Sequence, residues 1–190
     1  MYKGIRKIFA RYWVAYGGQQ ALVRSPYLHM ALLFLALTWG TWSEPNWWDQ
    51  VLSVVPNVLG FTLAGFAMFL GFGDEKFRTL LATPDEESPQ SHSIYVSLCA
   101  SFVHFIVIQM IALLLALLAK AWWFPFPWPD WIATQIKWLN LVGGAIGYGM
   151  FLYAVTSVLA ATMSVFRVAT WYEMHQRNNS AANDSPPPGE

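Results

Sequence analysis

Ser93, Ser97, Ser101 and His104 follow one another at spacings of four, four and three residues. On a helix those spacings place all four on one face. A serine–histidine stripe in an apolar helix has two uses. It can hydrogen-bond a neighbouring helix, or it can line a wet, proton-conducting path. His104 sits within an apolar run that begins at Ile94, roughly 15 Å from that end by helix rise.

Little else in the chain has the residue types for chemistry. The sequence contains no H-E-x-x-H, no G-x-S-x-G, no Walker loop and no Asp-rich metal motif. No catalytic residue, cofactor-binding residue or metal ligand is assigned, no cofactor is expected, and an enzyme is not the reading. The single cysteine, Cys99, excludes an internal disulfide and a multi-cysteine zinc site. It reads as a small buried hydrophobe. Asp74 and Glu75 follow the inner end of an apolar stretch, where a helix C-terminus disfavours negative charge. Pairing with Lys76, Arg78 or a neighbouring chain accounts for them.

The elements that carry these residues are set by composition. Hydrophobic residues make up 56% of the 190, aromatics 17% and charged residues 12%, the last about half of the ~25% usual in a soluble domain. A soluble fold of this length has too little interior for that much apolar surface. The expected class is an all-α integral membrane protein. Four apolar stretches are candidates for spans, at about 27–42, 56–73, 94–119 and 139–166, and none contains Asp, Glu, Lys or Arg. The first is short for the ~20 residues a span needs. The second rises about 27 Å, close to a hydrocarbon core. Residues 44–55 before it form either a separate outer interfacial helix with Pro56 opening the span, or the start of one longer helix kinked at Pro56.

Basic residues give the orientation. Lys3, Arg6, Lys7, Arg11 and Arg24 precede the first span, Lys76 and Arg78 follow the second, and Arg167 and Arg177 follow the fourth; the other side holds Lys120 and Lys137. The positive-inside rule then places both termini in the cytoplasm. Most of the 11 tryptophans, from Trp39 to Trp138, fall on the outer side, where indole rings favour the interface. The net charge of +0 offers no field to attract phosphates of nucleic acid, and direct nucleic-acid binding is not expected. A cleaved signal peptide is not expected either, because the basic region is too long and no small-x-small site follows.

Residues 3–16 alternate apolar and basic positions at helical spacing, with Ile5, Ile8, Phe9, Tyr12, Trp13 and Tyr16 on one face and Lys3, Lys7 and Arg11 on the other. This predicts a basic amphipathic helix on the inner leaflet or against a partner, with Arg6 at its margin. The division is therefore residues 1–25 as the interfacial segment, 26–170 as a four-helix membrane domain and 171–190 as a cytoplasmic disordered tail. The outer loop 122–131, rich in Pro and Trp, reads as a stiff lid on headgroups or an aromatic surface for a sugar or protein.

Small residues point to close packing. Gly60, Ala64, Ala67 and Gly71 line one face of the second span, and Gly143 and Gly147 form a G-x-x-x-G in the fourth. Two such faces leave one for a homo-oligomer contact. Residues 56–77, with the two cytoplasmic termini and the missing catalytic set, resemble the small four-span inner-membrane proteins of bacterial anti-phage defence systems, such as the membrane subunit of Kiwa. The resemblance implies an oligomeric sensor in the bacterial inner membrane, working with a cytoplasmic partner. Three functions follow as expectations. The first is a non-enzymatic membrane subunit that anchors or signals to a cytoplasmic protein. The second is a homo-oligomeric pore that perturbs the membrane potential. The third, disfavoured by the missing acid, base and metal groups, is a lipid-modifying enzyme.

Overall fold

The computed structural model describes residues 2–83, 93–123 and 129–184, and every element among them is a helix. In chain order these are α1 (Tyr2–Tyr16), α2 (Gly18–Val23), α3 (Pro26–Leu37), α4 (Trp39–Trp42), α5 (Trp47–Gly71), α6 (Glu75–Ala82), α7 (Ile94–Ala121) and α8 (Asp130–Asp184). Three of them, α5, α7 and α8, are long and apolar enough to cross a membrane. Residues 124–128, within the Pro- and Trp-rich loop read as a lid on headgroups or an aromatic surface, residues 84–92 and the last residues 185–190 lie outside the described residues.

Several boundaries differ from the sequence reading. The first expected span is broken. α3 has 12 residues, about 18 Å of rise and too short to cross alone. It ends at Thr38, whose hydroxyl donates to the Phe34 carbonyl at 2.7 Å, and α4 continues for one turn. The second span begins at Trp47 rather than Pro56, and Pro56 lies inside it. The one-helix alternative is therefore the observed one. Asn46 supports the turn into it with a left-handed φ of 74°, a conformation that Asn tolerates better than most residues.

The fourth span is the largest departure. α8 runs unbroken for 55 residues, about 80 Å, well over twice a hydrocarbon core of ~30 Å. The expected disordered tail from 171 is thus helical through Asp184. Side chains explain much of this. Trp171 and Tyr172 pack against the Phe77 cluster, Gln176 donates to the Tyr172 hydroxyl at 2.9 Å, and Arg177 pairs with Glu173 one turn earlier at 2.6 Å. Such i,i+4 pairs support a helix by a few tenths of a kcal/mol each, ~0.2–0.5.

α8 is the spine. α7 lies against it, with His104 meeting Tyr153. α5 lies against both, through Gln109–Thr62 to α7 and Tyr148–Gln50 to α8. α3 runs antiparallel to α8: Thr156 donates to the Tyr27 carbonyl at 3.0 Å, while Leu35 packs near Gly149. Three apolar clusters stack along the bundle. Phe69, Phe77, Phe102 and Phe105 form one end, Ala31, Ile108, Ala112 and Ala154 the middle, and Trp42, Trp47, Trp48 and Phe151 the other end.

The tryptophan end requires glycine. A Cβ on Gly144 would strike the Trp42 carbonyl oxygen, and one on Gly147 would strike the Trp47 ring. Gly143 faces open space, so the useful pair on α8 is 144 and 147 rather than the expected 143 and 147. The expected face on α5 takes no part in this packing: Gly60, Ala64, Ala67 and Gly71 are all exposed. Replacing Gly147 with Val should overpack the site, cost about 1–3 kcal/mol and lower the midpoint of thermal unfolding in detergent by several degrees. Gly143→Val should leave the midpoint unchanged; equal effects at the two positions would remove the packing argument.

Candidate functional site

The polar stripe on α7 does not act as one unit. Ser93 caps the helix, accepting from the Val96 amide at 3.4 Å. Ser101 donates to the Ser97 carbonyl in its own helix at 3.0 Å. His104 alone reaches across the bundle. Its Nδ1 lies 2.8 Å from the Tyr12 hydroxyl and its Nε2 lies 3.0 Å from the Tyr153 hydroxyl. The Tyr16 ring stacks on the imidazole, with centroids 3.9 Å apart and planes 17° apart. The Tyr16 hydroxyl is 3.5 Å from that of Tyr153.

One imidazole thus ties three elements together. A neutral imidazole has one donor and one acceptor nitrogen, so one tyrosine donates to it and the other accepts. Burial, and then the neighbouring Tyr16, push the Tyr12 hydroxyl up to about 12, which keeps it a neutral phenol. His104 is 2% exposed. The arrangement suits a clasp rather than acid–base catalysis on a bound substrate. This is the helix-bonding use of the stripe; both ring nitrogens are already engaged.

Gln109 supplies a second polar tie one and a half turns further along α7. Its side-chain nitrogen donates to Thr62 Oγ1 at 2.9 Å, and Thr62 donates to the Val58 carbonyl at 2.9 Å. A further polar contact between α5 and α7 is the exposed Lys120–Asp49 pair at 2.8 Å, of the kind that contributes ~0–1 kcal/mol.

The clasp changes the role of the N-terminal helix. The sequence reading places α1 on the inner leaflet or against a partner. Its last turns dock on α7 of the same chain, with Tyr12, Trp13 and Tyr16 half-buried. Only its first part stays outward: Lys3, Arg6, Lys7 and Arg11 are exposed, and so are Ile5, Ile8 and Phe9. Gly17 and Gly18, at φ 99° and 61°, make the bend into α2 that other residues would strain to adopt.

The residues beyond the bundle form a second feature. Asp74 is not at the C-terminus of a span but is the N-cap of the separate helix α6. Its Oδ1 accepts from the Phe77 amide at 2.8 Å, with Glu75 in the first turn, where acidic groups are favourable. The expected electrostatic misfit therefore disappears. Phe77, 1% exposed, plugs α6 onto α8, edge-on to Tyr172. Gln176 reaches Asp74 Oδ2 at 3.3 Å. Lys76 and Arg78 remain exposed. Between α6, the start of α7 and α8 lies a groove of about 330 Å³ lined by Leu80, Trp171 and Met174 among others.

Among the described residues no group of three His, Cys, Asp or Glu side chains could hold a metal. Comparisons with protein-family models, with curated proteins and with solved structures find no match. What the fold and site define is a helical protein with three membrane-length helices, a histidine clasp and a helical platform at one end.

The docking of α1 was the part that sequence reasoning missed. The signal was present in Tyr12, Trp13 and Tyr16, which carry polar atoms suited to a buried histidine. Replacing His104 with Leu should leave the Tyr12 and Tyr153 hydroxyls without their partner, at about 1–3 kcal/mol. Amide hydrogen exchange in residues 12–16 should then rise about tenfold, since ~1.4 kcal/mol is a factor of ten. Unchanged exchange in the variant would show that the imidazole does not hold α1.

Proposed function

We propose that this chain is a non-catalytic subunit of the bacterial inner membrane that presents a cytoplasmic platform to a protein partner. The observation that carries the reading is the continuation of α8 past the bundle as a helix with α6 fixed on it. A span that ended at the membrane needs no such extension. Here the extension is braced by a cap, a buried phenylalanine and a hydrogen bond between elements. Exposed Lys76, Arg78, Leu80 and Met174 give it both charge and apolar surface. Rigid, partly apolar and charged surfaces are suited to binding proteins.

In this reading α3 and α4 together serve as a fourth, broken span, and both termini face the cytoplasm. Lys3, Arg6, Lys7 and Arg11 then sit at the inner leaflet, where anionic lipid and partner compete for them. The exposed small face of α5, Gly60 to Gly71, is the contact between copies in a homo-oligomer. The pore reading is weaker, because His104 faces tyrosines of its own chain. The enzyme reading is weaker still, because the sequence carries none of the recognised catalytic motifs.

Co-purification of the tagged full-length protein from its native host in mild detergent tests the proposal. A stoichiometric cytoplasmic protein is expected. The double variant Leu80→Glu, Met174→Glu should lose that protein at least tenfold while remaining in the membrane fraction. A homo-oligomer with no second protein would overturn the platform reading.

A further inference from the structure

A second cleft, of about 330 Å³, opens where the α2–α3 turn meets α7 and α8. Its volume lies at the lower end of the ~300–1,000 Å³ common for ligand sites. Arg24 enters it from the turn and Arg167 from α8; Ser25, Ser101, Ser164 and Tyr16 add hydroxyls. Apolar carbon of α7 and α8 completes the wall.

The charge of this cleft is unbalanced. No carboxylate lines it. Among the described residues the two ion pairs are Lys120–Asp49 and Arg177–Glu173, so neither cleft arginine is in one. With the Gln20 amide oxygen turned toward it, Arg24 donates to that oxygen at 3.1 Å, a neutral partner. Two cations on one cleft wall with no carboxylate beside them attract an anion. Guanidinium groups fit phosphate in particular, because two parallel N–H donors match two oxygens.

The helix ends favour the same ligand. Ser25 is the N-cap residue of α3, yet its side chain makes no capping hydrogen bond. The amino end of this 12-residue helix, with its partial positive charge, therefore opens at the cleft rim uncapped. The serines on the long helices currently donate within their own helices, Ser101 to Ser97 at 3.0 Å and Ser164 to Ala160 at 2.9 Å. A hydroxyl is free to rotate from a carbonyl to a phosphate oxygen.

We infer that the Arg24–Arg167 cleft binds a phosphate group, supplied by the headgroup of an anionic phospholipid. The phosphate chemistry rests on the cleft alone. Only its lipid source uses the membrane reading proposed above. The apolar wall beside the arginines suits a headgroup whose acyl chains continue along α7 and α8. The bound lipid would join the N-terminal segment to α8 at the place where the helix breaks between α2 and α3.

Native mass spectrometry of the full-length protein in mild detergent tests this, with phosphatidylglycerol and phosphatidylcholine titrated separately. At least tenfold tighter binding of phosphatidylglycerol is expected. Arg24→Gln, Arg167→Gln together should bring it to the phosphatidylcholine level, whereas Lys120→Gln, Lys137→Gln, which removes two positive charges away from the cleft, should leave it unchanged. Monodisperse elution and an unaltered unfolding midpoint without lipid show that the cleft variant is folded; if it is not, the single variants Arg24→Lys and Arg167→Lys replace it, each with a several-fold loss expected. Inorganic phosphate at millimolar concentration is the second arm. If it displaces the lipid, the phosphate site stands; if it binds while phosphatidylglycerol shows no preference, the lipid source is overturned. Equal binding of both lipids with no effect of phosphate overturns the site. None of these outcomes depends on a protein partner, so a failed platform and a failed lipid site are separable.

Discussion

Gly144 and Gly147 let the backbone of α4 and the ring of Trp47 reach the side of α8, where any Cβ would stop them. This close approach fixes the tryptophan end of the bundle. Trp42 then donates its indole N–H to the Leu35 carbonyl at 2.7 Å, binding α4 back onto α3 across the break at Thr38. Trp47 and Trp48 lie beneath, edge to face, and Tyr148 meets Trp47 from α8. A broken helix exposes backbone carbonyls that an apolar surrounding cannot satisfy. The glycines permit the packing, and the packing brings the indole that satisfies one of them.

The middle of the bundle is held differently. Apolar contact between smooth helices is weakly directional, and alanine at Ala112 and Ala154, both fully buried, allows many registers. His104 and Gln109 restrict them. Each reaches a hydroxyl on another element, and each would leave buried polar atoms unpaired in a shifted register. The exposed Lys120–Asp49 pair adds little by comparison. Register is thus specified by buried polar residues, His104 and Gln109 on α7 and Thr156 on α8, rather than by the charges at the rim.

The long apolar helices were legible because their signal is local. Residues 94–119 and 56–73 contain no charge; α7 begins at Ile94 as expected and ends at Ala121, whereas α5 begins nine residues earlier, at Trp47. The start of α5 at Trp47 was readable only as one of two alternatives, since Pro56 is compatible with a helix start or with a kink. The polar stripe was legible as a face, but its partners were not. Tyr12 is 92 residues from His104 in the chain, and nothing local in either segment points to the other. The tail failed for a related reason. Residues after 177 are polar and rich in Asn and Ser, which composition alone reads as disorder. The helix there continues from packing upstream, around Trp171 and Tyr172, and from i,i+4 contacts such as Asn179 to His175 at 3.1 Å. Asp74 looked misplaced only while it was read at the C-terminal end of the second span, with no helix α6 after α5. Gly73, at φ 83°, separates them and turns a poor C-terminal charge into a good N-cap.

The clasp and the platform are joined by the same helix. Tyr153 touches His104 and Tyr16 in the bundle, and five turns further along α8 Tyr172 touches Phe77 and Gln176. An unbroken helix resists axial compression and twisting far better than a chain of loops. α1 and α8 meet on the same buried imidazole, Tyr12 on one ring nitrogen and Tyr153 on the other. Asp74 and Phe77 fix both the start and the inner face of α6. The rigid route between the N-terminal helix and the far end of α8 thus runs through buried side chains, while the exposed basic residues of α1 stay free to meet whatever lies at the surface.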